Sequence, residues 1–418
     1  MKRFLKQIIV PVALLLAGTA FVFGESLSPA QQYANALRER SATWKNISEP
    51  QRDEAIQKLT AAYEIMRADG AGDFRLRNGF FSDFKTALSE YDNIVEAFAA
   101  TPFAAEALYQ KSVIYTQAHM FEDGFQTVEQ LISVWPGSDR VGDALIQGYL
   151  ICEALRQGAR QRRMGGYLPW FVDREDVLKY YDKLYKLGPK ALIAPRVLFQ
   201  KACLSEEISE EFFKSDLKQD AINTFELMIS SHPDSSLVPE AYLRLAGTYK
   251  TLCMGDVWDQ LAARRAMNYY TDFYSLFPDR EEAEFAYEQA EELRELIANN
   301  RVALGDFYYI RRNNVRAASE FYNEAISVAP DSSAAKFALS RITDIAAGKR
   351  APMTLIDWIF GRYPAPVTKD FLDKPSQKSL DQMGFQTADS LERSAENGGE
   401  AASKSATEEG VTSGDEDF

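Results

Sequence analysis

The side chains able to do chemistry are few in this chain and stand apart from one another. Its two histidines, His119 and His232, each lack a second metal ligand at motif spacing, so neither begins a metal site. Glu206-Glu207 and Glu210-Glu211 supply paired carboxylates, but they fall at the end of a helical run, where solvated charge is the ordinary role. There is no phosphate-cradling glycine loop, dinucleotide fingerprint, serine elbow or Cys-x-x-Cys pair. The expectation is a protein without catalytic residues, cofactor or metal.

Cys152, Cys203 and Cys253 admit two readings. An odd number of cysteines in an exported chain invites a disulfide between two of them. A thiol at a small apolar helix position instead behaves as a core residue. The helical setting of all three favours buried thiols.

With no reactive constellation to place, the helices themselves carry the information. Residues Arg301 to Pro330 read as one helix ending in Phe307-Tyr308-Tyr309, a polar turn at Asn313-Asn314, and a second helix closed by Pro330. Counting back from that proline, Ala318 stands at minus 12, Tyr322 at minus 8, Ala325 at minus 5 and Ile326 at minus 4. That spacing puts all four on one face, with a small residue where two helices must approach closely. Pro102, Pro136, Pro189, Pro233 and Pro278 repeat the register. At minus 8 they show Ile94, Val128, Tyr181, Phe225 and Tyr270, and at minus 5 Ala97, Leu131, Leu184, Met228 and Phe273. At minus 4 stand Phe98, Ile132, Tyr185, Ile229 and Tyr274. The minus 12 position is small at Gly124, Ala221 and Ala266 and fails at Glu90 and Val177. Six prolines in register predict an all-α, tetratricopeptide-type helical-hairpin solenoid, a superhelix over residues 25–348.

At 418 residues the length alone suggests two or three compact domains, but a repeat array can be one continuous unit. Hydrophobic residues at 46% and charged residues at 26% are ordinary for a protein with a real core. The net charge of −14, with much of the acidic excess beyond Asp370, argues against nucleic acid as a partner. Lys2, Arg3 and Lys6 precede an apolar run from Ile8 to Phe23, and light residues at Val22 and Gly24 permit cleavage before Glu25. Residues 1–24 are therefore expected to be a secretory signal, the alternative being a retained anchor.

The pattern predicts helices at about 28–46, 50–68, 82–100, 102–117, 120–135, 139–157, 173–187, 191–207, 216–231, 238–252, 259–277, 279–312 and 332–347. The helix at 279–312 is read as one long or gently bent helix, interrupted only at Gly305. Between two of these helices lies an irregular insert. Arg156, Arg160, Arg162 and Arg163 lead into Met164 to Val172, with Trp170 and Phe171 near its end. Basic and aromatic residues together suit a partner or an anionic surface; the plainer reading tucks Trp170 and Phe171 under the next repeat. Residues 349–370, apolar around Trp358, are expected to cap the array, and the acidic 371–418 tail cannot bury enough surface to fold.

Gly255 to Pro278, with Asp259-Gln260, Ala266 and Phe277-Pro278, resembles the third repeat of BamD-type outer-membrane assembly lipoproteins. Leu304 to Arg311, followed by Ala317-Ala318 and Pro330-Asp331, is similar to the next repeat of that family. The resemblance covers about residues 216–345. It implies a periplasmic scaffold at the outer membrane that holds a barrel-inserting outer-membrane protein and helps barrel proteins assemble. It also implies that Arg311, closing the Phe-Tyr-Tyr helix, meets that partner, with Arg312, Tyr308 and Tyr309 beside it. The insert adds Arg162, Arg163, Trp170 and Phe171 as candidate partner contacts. One departure is Leu16-Ala17-Gly18-Thr19, where the family carries a lipidated cysteine; without the thiol there is no lipid thioether. The extra N-terminal repeats are another. The expected protein is peripheral to the outer membrane, with no transmembrane helix once the signal is removed. A periplasmic coordinator of envelope constriction or of cell-wall enzymes is the other reading.

Overall fold

A computed structural model of the chain describes residues 27–44, 47–70, 82–99, 101–163, 168–253, 255, 260–353 and 359–361. The segment 1–24 expected to be a signal, residues 71–81, Met164, Asp259, Trp358 and the acidic residues 371–418 lie outside them. The packing forms two compact units, divided between Val238 and Pro239.

In unit 1, the helices are α1 Pro29–Ser41, α2 Glu49–Gly70, α3 Ser82–Ala97, α4 Pro102–Gln117, α5 Phe121–Val134 and α6 Val141–Arg156, then α7 Arg174–Leu187, α8 Ala194–Phe212 and α9 Ser215–Ser231. Strands β1 Gln161–Arg163 and β2 Leu168–Trp170 stand between α6 and α7. The second unit carries α10, Val238–Thr251, which begins at the boundary, then α11 Leu261–Leu276, α12 Glu282–Asp306, a π-helical turn Phe307–Arg311, α13 Val315–Val328 and α14 Ser333–Ala346. Within unit 1 each helix from α1 to α9 packs on the next, and in unit 2 so does each from α11 to α14. First helices of hairpins also stack on first helices (α2 on α4, α4 on α6, and α12 on α14), and second on second (α5 on α7). Such nearest-neighbour stacking is how a solenoid builds a continuous core from units that cannot bury their apolar faces alone. The fold is all-α, a tetratricopeptide-type stack of helical hairpins, with one small β-hairpin among the described residues.

Local chemistry sets the helix ends. Ser28 accepts from the Gln31 backbone N–H while its own N–H donates to the Gln31 side chain, a capping box with Pro29 in the first turn. Asp173, Asn314 and Ser332 cap α7, α13 and α14 with a single bond each, accepting from the backbone N–H of Glu175, Ala317 and Ala335. Five of the six repeats hold the predicted stripe: Gly124, Val177, Ala221, Ala266 and Ala318 are buried, as are the residues four and seven positions after each.

The repeat closed by Pro102 departs from the register. Glu90 and Ala97 are exposed, and the buried stripe is Ala87, Tyr91, Ile94 and Phe98. The small-aromatic-apolar spacing is intact but lies three residues further from the proline, because α3 ends at Ala97 and a short linker intervenes before α4. The failure at Glu90 is a shifted frame. Val177 is different, since it occupies the small slot and is fully buried there.

The stretch read as one helix over 279–312 is α12 followed by the π turn. Gly305 is a contact rather than a break, since a Cβ there would stand 2.5 Å from Cε1 of Tyr322. The three cysteines form no disulfide. Cys152 is buried deeply enough that desolvation pushes its thiol well above the usual range, whereas Cys253 is only half-buried, its Sγ 3.5 Å from the Tyr249 carbonyl oxygen. Of the segment read as a cap, Ala351 is in the core, while Met353, Ile359 and Phe360 are exposed.

Candidate partner-binding surfaces

The candidate residues fall into two groups, one on each unit. In unit 2 the π turn decides which side chains face out. Its wider winding carries the Arg312 N–H to the Phe307 carbonyl (3.3 Å), and Asn313 then takes a left-handed φ of 49° to reverse the chain. Tyr309 is thereby turned inward. It is 1% exposed and donates its hydroxyl to the Lys349 carbonyl at 3.0 Å, so it serves the core and leaves the set of surface candidates. Tyr308 stacks on Phe321 of α13, centroids 5.3 Å apart, and Phe307 meets Tyr308 edge-on at 5.5 Å. Arg312 lies over Phe307 at 5.6 Å and Arg301 over Phe321 at 5.9 Å. Arg311 and Arg312 are both exposed. The result is an aromatic ledge edged by guanidinium groups, a surface suited to planar recognition of carboxylates.

In unit 1 the insert folds into an antiparallel hairpin pairing Gln161 with Trp170, Arg162 with Pro169 and Arg163 with Leu168. The sequence pattern missed this because the strands are only three residues long and carry no β-branched alternation. The Arg162 N–H donates to the His119 carbonyl (2.8 Å), and Gln161 Nε2 to Glu122 (2.9 Å), which anchors β1 on the α4–α5 turn. The outer edge of β2 presents Pro169, which has no N–H, so a partner strand cannot extend this sheet. Trp170 and Phe171 are 48% and 71% exposed; they stand out from the fold instead of tucking under the next repeat. Arg160 covers one face of Phe171 at 4.6 Å. Together the two rings flank a groove of about 240 Å³ whose other walls include Glu122, Phe125, Tyr180 and Lys183. That groove lies against α5 and α7, the second helices of their hairpins, whereas solenoid grooves are ordinarily read from the first helices.

His119 sits under this anchor with a left-handed φ of 61°. Burial, and then the charge of Arg162, hold its imidazole below the ordinary value. A depressed histidine pKa means that the folded state resists protonation. Stability is therefore kept above the unfolded pKa and is lost as pH falls through it. An NMR titration should place the His119 midpoint below that of His in the urea-unfolded chain, with a loss of melting temperature below about pH 6.5 that His119→Asn reduces.

Two features escaped sequence reasoning. Glu106, in the middle of α4, is 0% exposed and holds two arginines. Arg140 reaches it twice (2.5 and 3.1 Å) and Arg40 once (3.0 Å), with Tyr33 and Gln110 donating at 2.9 and 3.0 Å. Burial alone would raise this carboxyl, but the charge and hydrogen bonds of Arg140, with help from Arg40 and Gln110, hold it below the usual range. The signal was present as one acid in the apolar run Phe103-Ala-Ala-Glu-Ala-Leu108, although nothing local names its distant partners. The other feature is Phe212-Phe213 at the end of α8, where a helix stop without glycine was the available sign.

No protein-family model matches the sequence, and no curated protein matches it. Among solved structures the chain is similar to YrrB, described as a tetratricopeptide-repeat protein with an unusual peptide-binding site, at 15% identity and a TM-score of 0.28, covering 62% of this chain and 99% of that one. It is also similar to a tetratricopeptide-repeat protein of Parabacteroides merdae ATCC 43184, at 12% identity and 0.30, covering 70% and 99%. PilW, a type IV pilus biogenesis factor, aligns at 16% identity and 0.23, covering 68% and 98%. What those proteins bind is a property of theirs.

Proposed function

We propose that the protein is a periplasmic tetratricopeptide-type scaffold of the BamD kind, peripheral to the outer membrane, which holds a barrel-inserting outer-membrane protein during assembly. The observation that carries this reading is the π-turn ledge. Arg311, the residue that the resemblance assigns to the partner, is exposed beside Arg312 and the stacked pair Tyr308–Phe321. A guanidinium fork on an aromatic shelf recognises a carboxylate with geometry as well as charge. The competing role for Arg311 is as a cation at a helix end, which contributes only about 0.3–1 kcal/mol to the fold.

The two roles separate under charge reversal. Arg311→Glu should leave the melting temperature nearly unchanged, because the side chain is exposed. Titrated against the purified barrel-inserting protein, it should bind more weakly by about 2–5 kcal/mol, since one member of a charged pair is lost and a repulsion gained. Equal affinity for wild type and variant would return Arg311 to helix termination. A coordinator of envelope constriction or cell-wall enzymes is the second reading; it would show as no binding to the barrel-inserting protein and altered wall-enzyme activity on deletion.

A further inference from the structure

We infer that the turn edge of unit 1 docks on a phospholipid bilayer, inserting the rings carried by the β-hairpin and by the turn between α8 and α9. Phe213 closes α8 with a left-handed φ of 53°, the conformation glycine adopts most readily and a bulky residue avoids. Phe213 is 93% exposed and Phe212 is 56% exposed. Neither the backbone nor water favours a phenylalanine there, so the fold alone does not explain it.

The same edge carries the hairpin. Lys214 pairs with Glu175 at the start of α7, and Arg174 bonds Glu207 at 2.7 Å and Glu211 at 2.5 Å on the last turns of α8. These ties set the α8–α9 turn beside the base of β2, where Leu168, Trp170 and Phe171 are 47%, 48% and 71% exposed. Five large apolar side chains thus stand exposed on β2 with the residue after it and at the end of α8, beside a row of ion pairs.

That row decides between a protein and a membrane. A protein partner covering all five side chains would have to desolvate the ion pairs, a penalty their attraction seldom recovers. A bilayer interface accepts exposed rings in the acyl boundary and leaves the charges in hydrated headgroups. Arg160 over Phe171 (4.6 Å) and Lys214 over Phe212 (5.9 Å) put a cation on the face of one ring in each group, a charge able to meet a headgroup phosphate. Glu175, Glu207 and Glu211 alternate with Arg174 and Lys214, which suits the mixed charge of zwitterionic headgroups and asks for no anionic lipid.

This inference stands apart from the role of Arg311. Its test is sedimentation of the full chain with phosphatidylcholine vesicles, with tryptophan emission as a second readout. The N-terminus is common to every variant, so differences between variants report the edge. Wild type should bind. Phe213→Gly should keep or raise the melting temperature, because glycine suits that φ, while lowering vesicle partition by roughly tenfold for the lost ring. Phe212→Ser should lower partition in the same direction without touching the left-handed position. Absence of wild-type binding overturns the inference, as does Phe213→Gly and Phe212→Ser partitioning like wild type. So would variants that keep vesicle binding and lose binding to a protein, since the edge would then be a protein interface.

Discussion

Glu106→Ala should destabilise unit 1 by about 3–5 kcal/mol, the range found when one member of a buried ion pair is removed and its partners stay behind. Two guanidinium groups lose their shared carboxylate, Arg40 keeping Asp139 at 2.7 Å and Arg140 keeping Asp143. Tyr33, half-buried and raised above its usual range chiefly by desolvation, loses the acceptor of its hydroxyl. Glu106→Gln keeps the volume and the hydrogen-bonding oxygen, so its smaller loss would isolate the charge. The sign with pH follows from the depressed carboxyl. Its contribution is present above the unfolded carboxylate pKa and is lost as pH falls through the lower folded value, so wild type should lose its advantage over Glu106→Gln under acid. Urea unfolding at neutral and acid pH measures both effects. An unchanged midpoint for Glu106→Ala would show that Asp139 and Asp143 alone suffice.

Tyr322→Ala should cost unit 2 about 3–5 kcal/mol, as for a large buried aromatic. Tyr322 is 0% exposed, lies on the face of Gly305 and donates to Asp306 at 2.6 Å, while Arg341 pairs with the same carboxylate at 3.3 Å. The companion change is Gly305→Ala. Helix propensity favours alanine by about 1 kcal/mol, but its Cβ would enter the Tyr322 ring, and overpacking of this kind costs about 1–3 kcal/mol. The expectation is a net loss in wild type and a gain in the Tyr322→Ala background. That reversal of sign, read from a double-mutant cycle, is specific to contact. Additive effects would mean that α12 and α13 do not meet at this point.

The parts of the fold legible in the sequence are those that depend on local spacing. The stripe running through Ala318, Tyr322 and Ala325 marks a buried helix face, because side chains four and seven apart must share one side of a helix. It failed to fix the frame at Pro102, since the linker length between a helix and the next proline is not encoded in the stripe. The turn at Asn313-Asn314 was readable from residue type; the π winding before it was not, because it arises where α12 must deliver Tyr309 inward against Lys349. On the candidate surfaces, Arg311, Arg312, Trp170 and Phe171 are exposed. Tyr309 was misplaced by one wider turn of backbone. Phe213 was passed over because its character lies in a backbone angle that residue type does not reveal.

Photocrosslinking from position 311 in intact cell envelopes tests the scaffold reading most directly. With a benzoylphenylalanine at 311, and another at the exposed Lys336 on α14 for comparison, the expected product is a single adduct to the barrel-inserting outer-membrane protein from 311 and none from 336. An adduct from 311 to a cell-wall enzyme, or equal adducts from both positions, would contradict it.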